Sequence, residues 1–356
     1  MEFLDYIFVY LFVLVTGACI GSFLNVVALR ALSNESIVFP ASKCPKCNTP
    51  IKWYDNIPVL SYLFIFRGKC RSCGEKVSIQ YPIVEAITAI MFVLIFLFFG
   101  ISIKTLMLLI LLCISIVITI TDLKKEYVFD VHSWILIVAS IVYSAITHDI
   151  TYAFIGLLSG AIIMEVIARL SYYLVRKESK KEEKEESSEQ NNEQNEEDIN
   201  INDYVEKYKR AFGEGDTYLA AASGALLGVK YFIAAIACAI IVQAVCILPQ
   251  FMKKILEQGQ KRLFISLIGF IVLALVYFIV SNLITLNLFV VYGFVALLLF
   301  FAIDSITRLK KATIDSDGFT AIPFGPALLF ATFIMLFFGS PIISIIKKHI
   351  FMILGW

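Results

Sequence analysis

Apolar residues in this chain do not alternate with polar ones. They come in long unbroken runs, at residues 6–29, 83–99, 103–121, 131–147, 152–175, 217–229, 231–248, 263–284, 288–303 and 324–338, with short polar, charged or glycine-bearing breaks between them. A helix needs about 17–25 predominantly apolar residues to cross a bilayer. Continuous rather than alternating apolarity points to helices and away from a β-barrel. The pattern therefore predicts an all-α polytopic membrane protein of about ten transmembrane helices. The run at 217–229 is short, reaching only about 20 Å as a helix, and is expected in locally thinned bilayer or half-buried. The first run has no basic residues before it and is longer than the apolar core of a signal peptide, so it is expected to be a retained helix.

The breaks carry their own information. Residues 31–82 hold paired cysteines, several prolines and many Lys and Arg, which predicts a small extramembrane domain between the first two helices. Residues 176–210 are Lys, Glu, Ser, Asn and Gln with almost nothing apolar before Tyr204; such a stretch cannot bury enough surface to offset its ordering entropy, and a disordered charged loop is expected. Residues 340–356 read as an interfacial amphipathic tail. The resulting division is a first helix (1–30), a metal-binding domain (31–82), helices carrying Asp122 (83–175), the charged loop (176–210), helices carrying Asp216 with an inserted hairpin at 263–303 (211–339), and the tail (340–356).

Composition agrees. Hydrophobic residues make up 59% and charged residues 17% of the chain, and the mean hydropathy is +0.83, which excludes an ordinary soluble domain. The net charge of +1 is uninformative; lipid is the expected surrounding, and no nucleic-acid partner is expected. Placement of charge says more, because the segments after residues 29, 121, 175, 248 and 303 are rich in Lys and Arg. By the positive-inside bias these face the cytoplasm and the N-terminus lies outside. Residues 31–82, Asp122, Asp216 and residues 304–323 then share one face.

Two constellations carry chemistry. Cys44-Pro-Lys-Cys47 and Cys70-Arg-Ser-Cys73 form a paired CxxC with a spacer close to that of zinc ribbons. Four thiolates supply the closed tetrahedral set that Zn²⁺ favours, which makes the ion structural rather than catalytic. Two disulfides are the alternative, disfavoured on a reducing cytoplasmic face. The second constellation is Asp122, at the end of one apolar run, and Asp216, in Gly213-Glu-Gly215-Asp216 at the start of another. A lone aspartate at a helix end is ordinarily a cap. Two on one membrane face can instead share a proton, activate water and protonate a leaving amine, as in aspartic proteases.

Asp122 at a helix C-terminus and Asp216 at an N-terminus are also electrostatically unequal, which assigns Asp216 as base and Asp122 as the protonated partner. Gly213 and Gly215 are expected to permit close backbone approach. Glu85 and Asp130 are possible supporting residues; Glu165 and Arg169 most simply neutralise each other. No GxSxG, HExxH or P-loop is present. A membrane transporter or scaffold bearing a zinc ribbon is the alternative from another class.

These residues resemble the type IV prepilin peptidases (leader peptidase and N-methyltransferase). The resemblance is carried by Gly21-Ser-Phe-Leu-Asn25, Trp53-Tyr-Asp-Asn-Ile-Pro-Val-Leu-Ser61, the Cys70 to Gly74 motif, Ser78-Ile-Gln-Tyr81-Pro82-Ile-Val-Glu85, Asp122-Leu-Lys, Gly213-Glu-Gly-Asp216 and Ile322-Pro-Phe-Gly-Pro326, in the family's order. It implies an aspartic endopeptidase of the bacterial cytoplasmic (inner) membrane with its active site facing the cytoplasm. Its partners would be prepilin or pseudopilin precursors, in type IV pilus assembly or protein secretion, whose basic leader it removes. The resemblance further implies N-methylation of the new N-terminus with S-adenosyl-L-methionine, a peptidase without methyltransferase activity being the alternative. It maps the paired aspartates onto Asp122 and Asp216 and the zinc ligands onto Cys44, Cys47, Cys70 and Cys73. The chain departs from the family at Tyr218, where a lysine is usual, and at Phe129, where a proline is usual.

Overall fold

The computed structural model describes residues 2–39, 42–44, 46–65, 67–189, 213–257, 259–283, 288–311 and 323–354. They form nine α-helices: α1 (Glu2–Ser33), α2 (Gln80–Phe99), α3 (Ile103–Lys125), α4 (Asp130–Thr147), α5 (Ile150–Glu189), α6 (Glu214–Glu257), α7 (Lys261–Leu283), α8 (Leu288–Lys311) and α9 (Phe324–Leu354). Eight of these are long and apolar enough to cross a membrane, and α8 carries a shorter apolar stretch at Val290–Asp304. Helix α6 bends sharply at Gly228 (φ 69°, ψ 167°), so the chain has ten helical segments among the described residues.

Two of the expectations change. Helix α5 continues to Glu189, into the charged run expected to be disordered. Lys and Glu have high intrinsic helix propensity, and a helix already nucleated in the apolar run extends cheaply. The remainder of that loop, 190–210, lies outside the described residues. At the other end α9 runs without a break from Phe324 to Leu354 through Pro341, where a separate interfacial tail was expected.

The fold divides into two compact units. In the first, α1 packs on α2 and α3, α3 on α4, and α4 on α5. Small residues set the spacing where backbones meet. A methyl group on Gly17 or Gly21 of α1 would strike Ala89, Phe92, Thr88 or Glu85 of α2 at about 3 Å or less. One on Gly156 or Gly160 of α5 would run into the carbonyls of Gly224 or Ala220 of α6. Both glycine pairs are spaced GxxxG, the pattern that brings helices into backbone contact within lipid.

The break at Gly228 leaves carbonyls without their helical partners, and in hydrocarbon these need donors. Two side chains supply them: the Ser144 hydroxyl donates to the Ala225 carbonyl at 2.6 Å, and the Tyr152 hydroxyl donates to the Leu227 carbonyl. The first half of α6, nearly all buried from Leu219 onward, is thus anchored at its far end by α4 and α5. In the second unit, α7 packs on α8, with Gly269 making room for the Phe301 ring.

Candidate active site and metal centre

Two knuckles of matching construction form the cysteine centre. In the first, Lys43 and Pro50 make a β-bridge, the Cys44 carbonyl accepts the Asn48 N–H at 2.9 Å, and the Cys44 N–H donates to the Thr49 carbonyl at 3.0 Å. In the second, Lys69 and Lys76 make the bridge, the Cys70 carbonyl accepts the Gly74 N–H at 2.9 Å, and the Cys70 N–H donates to the Glu75 carbonyl at 2.7 Å. The residue after each second cysteine, Asn48 (φ 55°) or Gly74 (φ 71°), turns left-handed, as Asn and Gly do most readily. The Lys46–Glu75 ion pair joins one knuckle to the other, and Arg71 is 2.5 Å from Asp55.

All four sulfurs lie within 4.8 Å of one another. Cys44 Sγ is 3.9 Å from Cys73 Sγ, and Cys47 Sγ is 3.9 Å from Cys70 Sγ. A tetrahedron of Zn–S bonds near 2.3 Å has S···S edges of about 3.8 Å, so the donor set fits Zn²⁺ in size and chemistry, and no disulfide joins these cysteines. The thiols are primed unequally. The hydroxyl and then the backbone N–H of Thr49 hold Cys47 down at about 6. Cys73 accepts the Glu75 N–H, which lowers it, yet desolvation and the other three thiols push it up to about 11. A divalent cation relieves that crowding of charge by binding all four as thiolates.

Glu85, buried near the start of α2, ties this module to the helices. Its carboxylate accepts the Val59 N–H at 2.7 Å and also bonds Ser22 of α1. Val59 is a β-branched residue held at φ 60°, a conformation that persists only where surroundings enforce it. Nearby, the buried Asn25 accepts from Gln80 Nε2 at 3.4 Å. The bonds of Glu85 therefore run to the module and to α1, and not to either aspartate.

The carboxylates come from three-helix geometry. Asp122 sits in the last turn of α3, only 4% exposed, and its backbone carbonyl accepts the N–H of the left-handed C-cap Glu126 at 2.8 Å. Its Oδ2 is buried and has no hydrogen-bond partner among the described residues. Asp216 sits half-buried in the first turn of α6 and accepts the Gly213 N–H. The start of α9 lies against both: a methyl placed on Gly325 would be 2.5 Å from Asp122 Oδ2, 2.8 Å from Leu219 Cδ1 and 3.4 Å from Asp216 Oδ1. Two carboxylates far apart in sequence thus lie against one glycine.

The other sequence candidates fall at different places. A methyl on Gly215 would strike Val128 Cβ at 2.7 Å, so that glycine lets the turn between α3 and α4 seat beside Asp216. Gly213 has open space around it and contributes its N–H. Asp130 is exposed in the first turn of α4. Glu165 and Arg169 pair at 2.8 Å on α5. Tyr218 packs its ring 5.7 Å from that of Trp134. Sequence reasoning singled out neither Gly325 nor Leu219 as site residues; the only signal for Gly325 was its place in Ile322-Pro-Phe-Gly-Pro326.

Comparison with known proteins adds the family. Residues 15–99 match the bacterial peptidase A24 N-terminal domain, and residues 109–248 match the type IV leader peptidase family. The cysteine module and both aspartates fall inside these segments; Gly325 does not. A prepilin leader peptidase/N-methyltransferase from Myxococcus xanthus is 51% identical over 84 residues, 24% of this chain and 24% of the relative. Proteins of the same name from Klebsiella pneumoniae (43% identical, 23% of this chain, 39% of the relative) and Bacillus subtilis (35%, 30% and 43%) are also similar. In each case the match covers less than half the relative's length. No solved structure matches.

Proposed function

Because the chain belongs to the type IV leader peptidase family, we propose that it is a membrane aspartic endopeptidase, with Asp122 and Asp216 as its catalytic pair, that removes the leader of type IV prepilin-like precursors at the cytoplasmic edge of the bacterial inner membrane. One observation carries the reading: the two carboxylates lie against the same residue, Gly325. Paired carboxylates within reach of one water can hydrolyse a peptide bond without a covalent intermediate. Asp216, which receives an N–H and lies at a helix N-terminus, takes a proton from the water as its oxygen bonds to the scissile carbonyl carbon. Asp122 holds the proton that the departing amine receives as the C–N bond breaks. A precursor whose apolar helix lies in the bilayer and whose basic leader stays in the cytoplasm presents its scissile bond at this depth.

Cys44, Cys47, Cys70 and Cys73 would hold Zn²⁺ in a structural role: four protein ligands leave it no open position. Methylation of the new N-terminus belongs to the same proposal through the names of the relatives. S-adenosyl-L-methionine, when bound, would supply the methyl group. The described residues contain no β-strand, only two isolated bridges, so no strand–glycine-loop–helix unit marks a place for it.

The test is processing of a co-expressed prepilin precursor. Asp122→Asn and Asp216→Asn should each abolish cleavage while leaving the amount of membrane-extracted, folded protein unchanged. Unchanged processing would favour a transporter or scaffold. The mass of the processed N-terminus reports both the cut position and the methyl group.

A further inference from the structure

We infer that Gly325 is a positioning residue of the aspartate site: by carrying no side chain, it leaves the Asp122 carboxylate room to sit against the start of α9, beside that of Asp216. The inference rests on the reading of those aspartates as the hydrolytic pair.

A glycine is required either by backbone conformation or by space, and here the two can be separated. Among the described residues the glycines with left-handed φ are Gly68, Gly74, Gly100, Gly228 and Gly259. Gly325 is not among them; it lies buried in the first turn of α9, where any L-residue adopts the backbone and alanine is favoured by up to about 1 kcal/mol. Space is therefore the constraint.

The atoms that define that space are the ends of three side chains, Asp122 Oδ2, Leu219 Cδ1 and Asp216 Oδ1. This differs from Gly156, Gly160 and Gly224, whose missing methyls face backbone carbonyls. An alanine at 325 is absorbed by rotating the carboxylate of Asp122, the nearest neighbour, and the tip of Leu219. The fold survives, and the acid leaves its place.

A second observation points the same way. Asp122 is 4% exposed, and its Oδ2, the atom nearest to where a Gly325 side chain would start, is buried without a hydrogen-bond partner among the described residues. Buried polar atoms are nearly always bonded, so an unbonded carboxylate oxygen held against bare Gly325 and near a second carboxylate is placed for chemistry rather than for the fold. Proton transfer needs heavy atoms within about 2.6–3.2 Å, and a displacement of 1 Å costs on the order of 100-fold in rate.

The experiment uses the full-length protein in detergent with a purified prepilin precursor, comparing wild type, Gly325→Ala, Gly325→Ser and Gly160→Ala as a packing control. The expected result for Gly325→Ala is a kcat about 100-fold lower, KM within about twofold and an unchanged melting temperature, with Gly325→Ser at least as impaired. Gly160→Ala should lower the melting temperature, with a much smaller loss of kcat. A Gly325→Ala protein with kcat within about threefold of wild type overturns the inference, because the place of the Asp122 carboxylate would then not depend on the missing side chain. So does one that melts well below wild type, because the glycine would then serve packing. The underlying reading fails separately: if Asp122→Asn and Asp216→Asn cleave normally, the peptidase assignment falls and takes this inference with it; if they are dead while Gly325→Ala is active, only this inference is lost.

Discussion

The cysteine module and the aspartate site are built in opposite ways. The module collects four ligands from two short turns, each closed by hydrogen bonds within a handful of residues and each ending on a left-handed Asn48 or Gly74. The aspartate site collects Asp122, Asp216 and Gly325 from the ends of three helices, one of which, the first part of α6, is anchored at Ala225 and Leu227 by α4 and α5. A locally closed site tolerates change in its surroundings but not in its ligands. A site assembled across helices is sensitive to both, and substitutions should separate the two cases.

The largest effect is expected at the aspartates. Asp122→Asn or Asp216→Asn should reduce precursor cleavage by at least about a thousandfold, since general acid–base groups contribute on the order of 10² to 10⁴, with bound zinc unchanged; a gel assay beside metal analysis checks both. Cys70→Ser is the reciprocal case. It should lower zinc from about one ion per chain toward none, measured by mass spectrometry of the metal, while the helical circular dichroism signal persists. Loss of the helical signal in that variant would mean that the module and the helices fold as one.

Smaller effects come from the supports of the aspartate site. Gly160→Ala forces a methyl toward the Ala220 carbonyl and should cost about 1–3 kcal/mol, seen as a lower melting temperature together with reduced cleavage. Ser144→Ala, which leaves the Ala225 carbonyl without its donor, should cost about 1 kcal/mol. If either change lowers stability and leaves kcat untouched, the site is less dependent on distant packing than the comparison implies.

How much could be read in advance follows the same division. The spacing of Cys44, Cys47, Cys70 and Cys73 shows in a window of thirty residues because its geometry is local. The apolar runs gave the helices because lipid permits little else, and the break near Gly228 already appears as the limit between the runs at 217–229 and 231–248. Out of reach were the donors that satisfy that break, Ser144 and Tyr152, and the partner of Glu85, because each depends on which helices become neighbours. Gly325 is the clearest case: its glycine has no local reason, and its meaning emerges only when α9 is laid against α3 and α6. The helical extension of α5 through Glu189 was missed for a different reason, since a charged sequence that cannot build a core can still continue a helix begun elsewhere.

The bend at Gly228 has a consequence for the register of the chain. The stub of α6 that carries Asp216 is clamped at its far end by α4 and α5, which hold the carbonyls of Ala225 and Leu227, nine and eleven residues after Asp216. A helix turns by about 100° per residue, so one residue inserted or deleted inside the stub would swing the carboxylate about the helix axis and away from Asp122. The stub behaves as a ruler of fixed length, and length variation in this protein should be found before Gly213 or beyond the bend, and not between them.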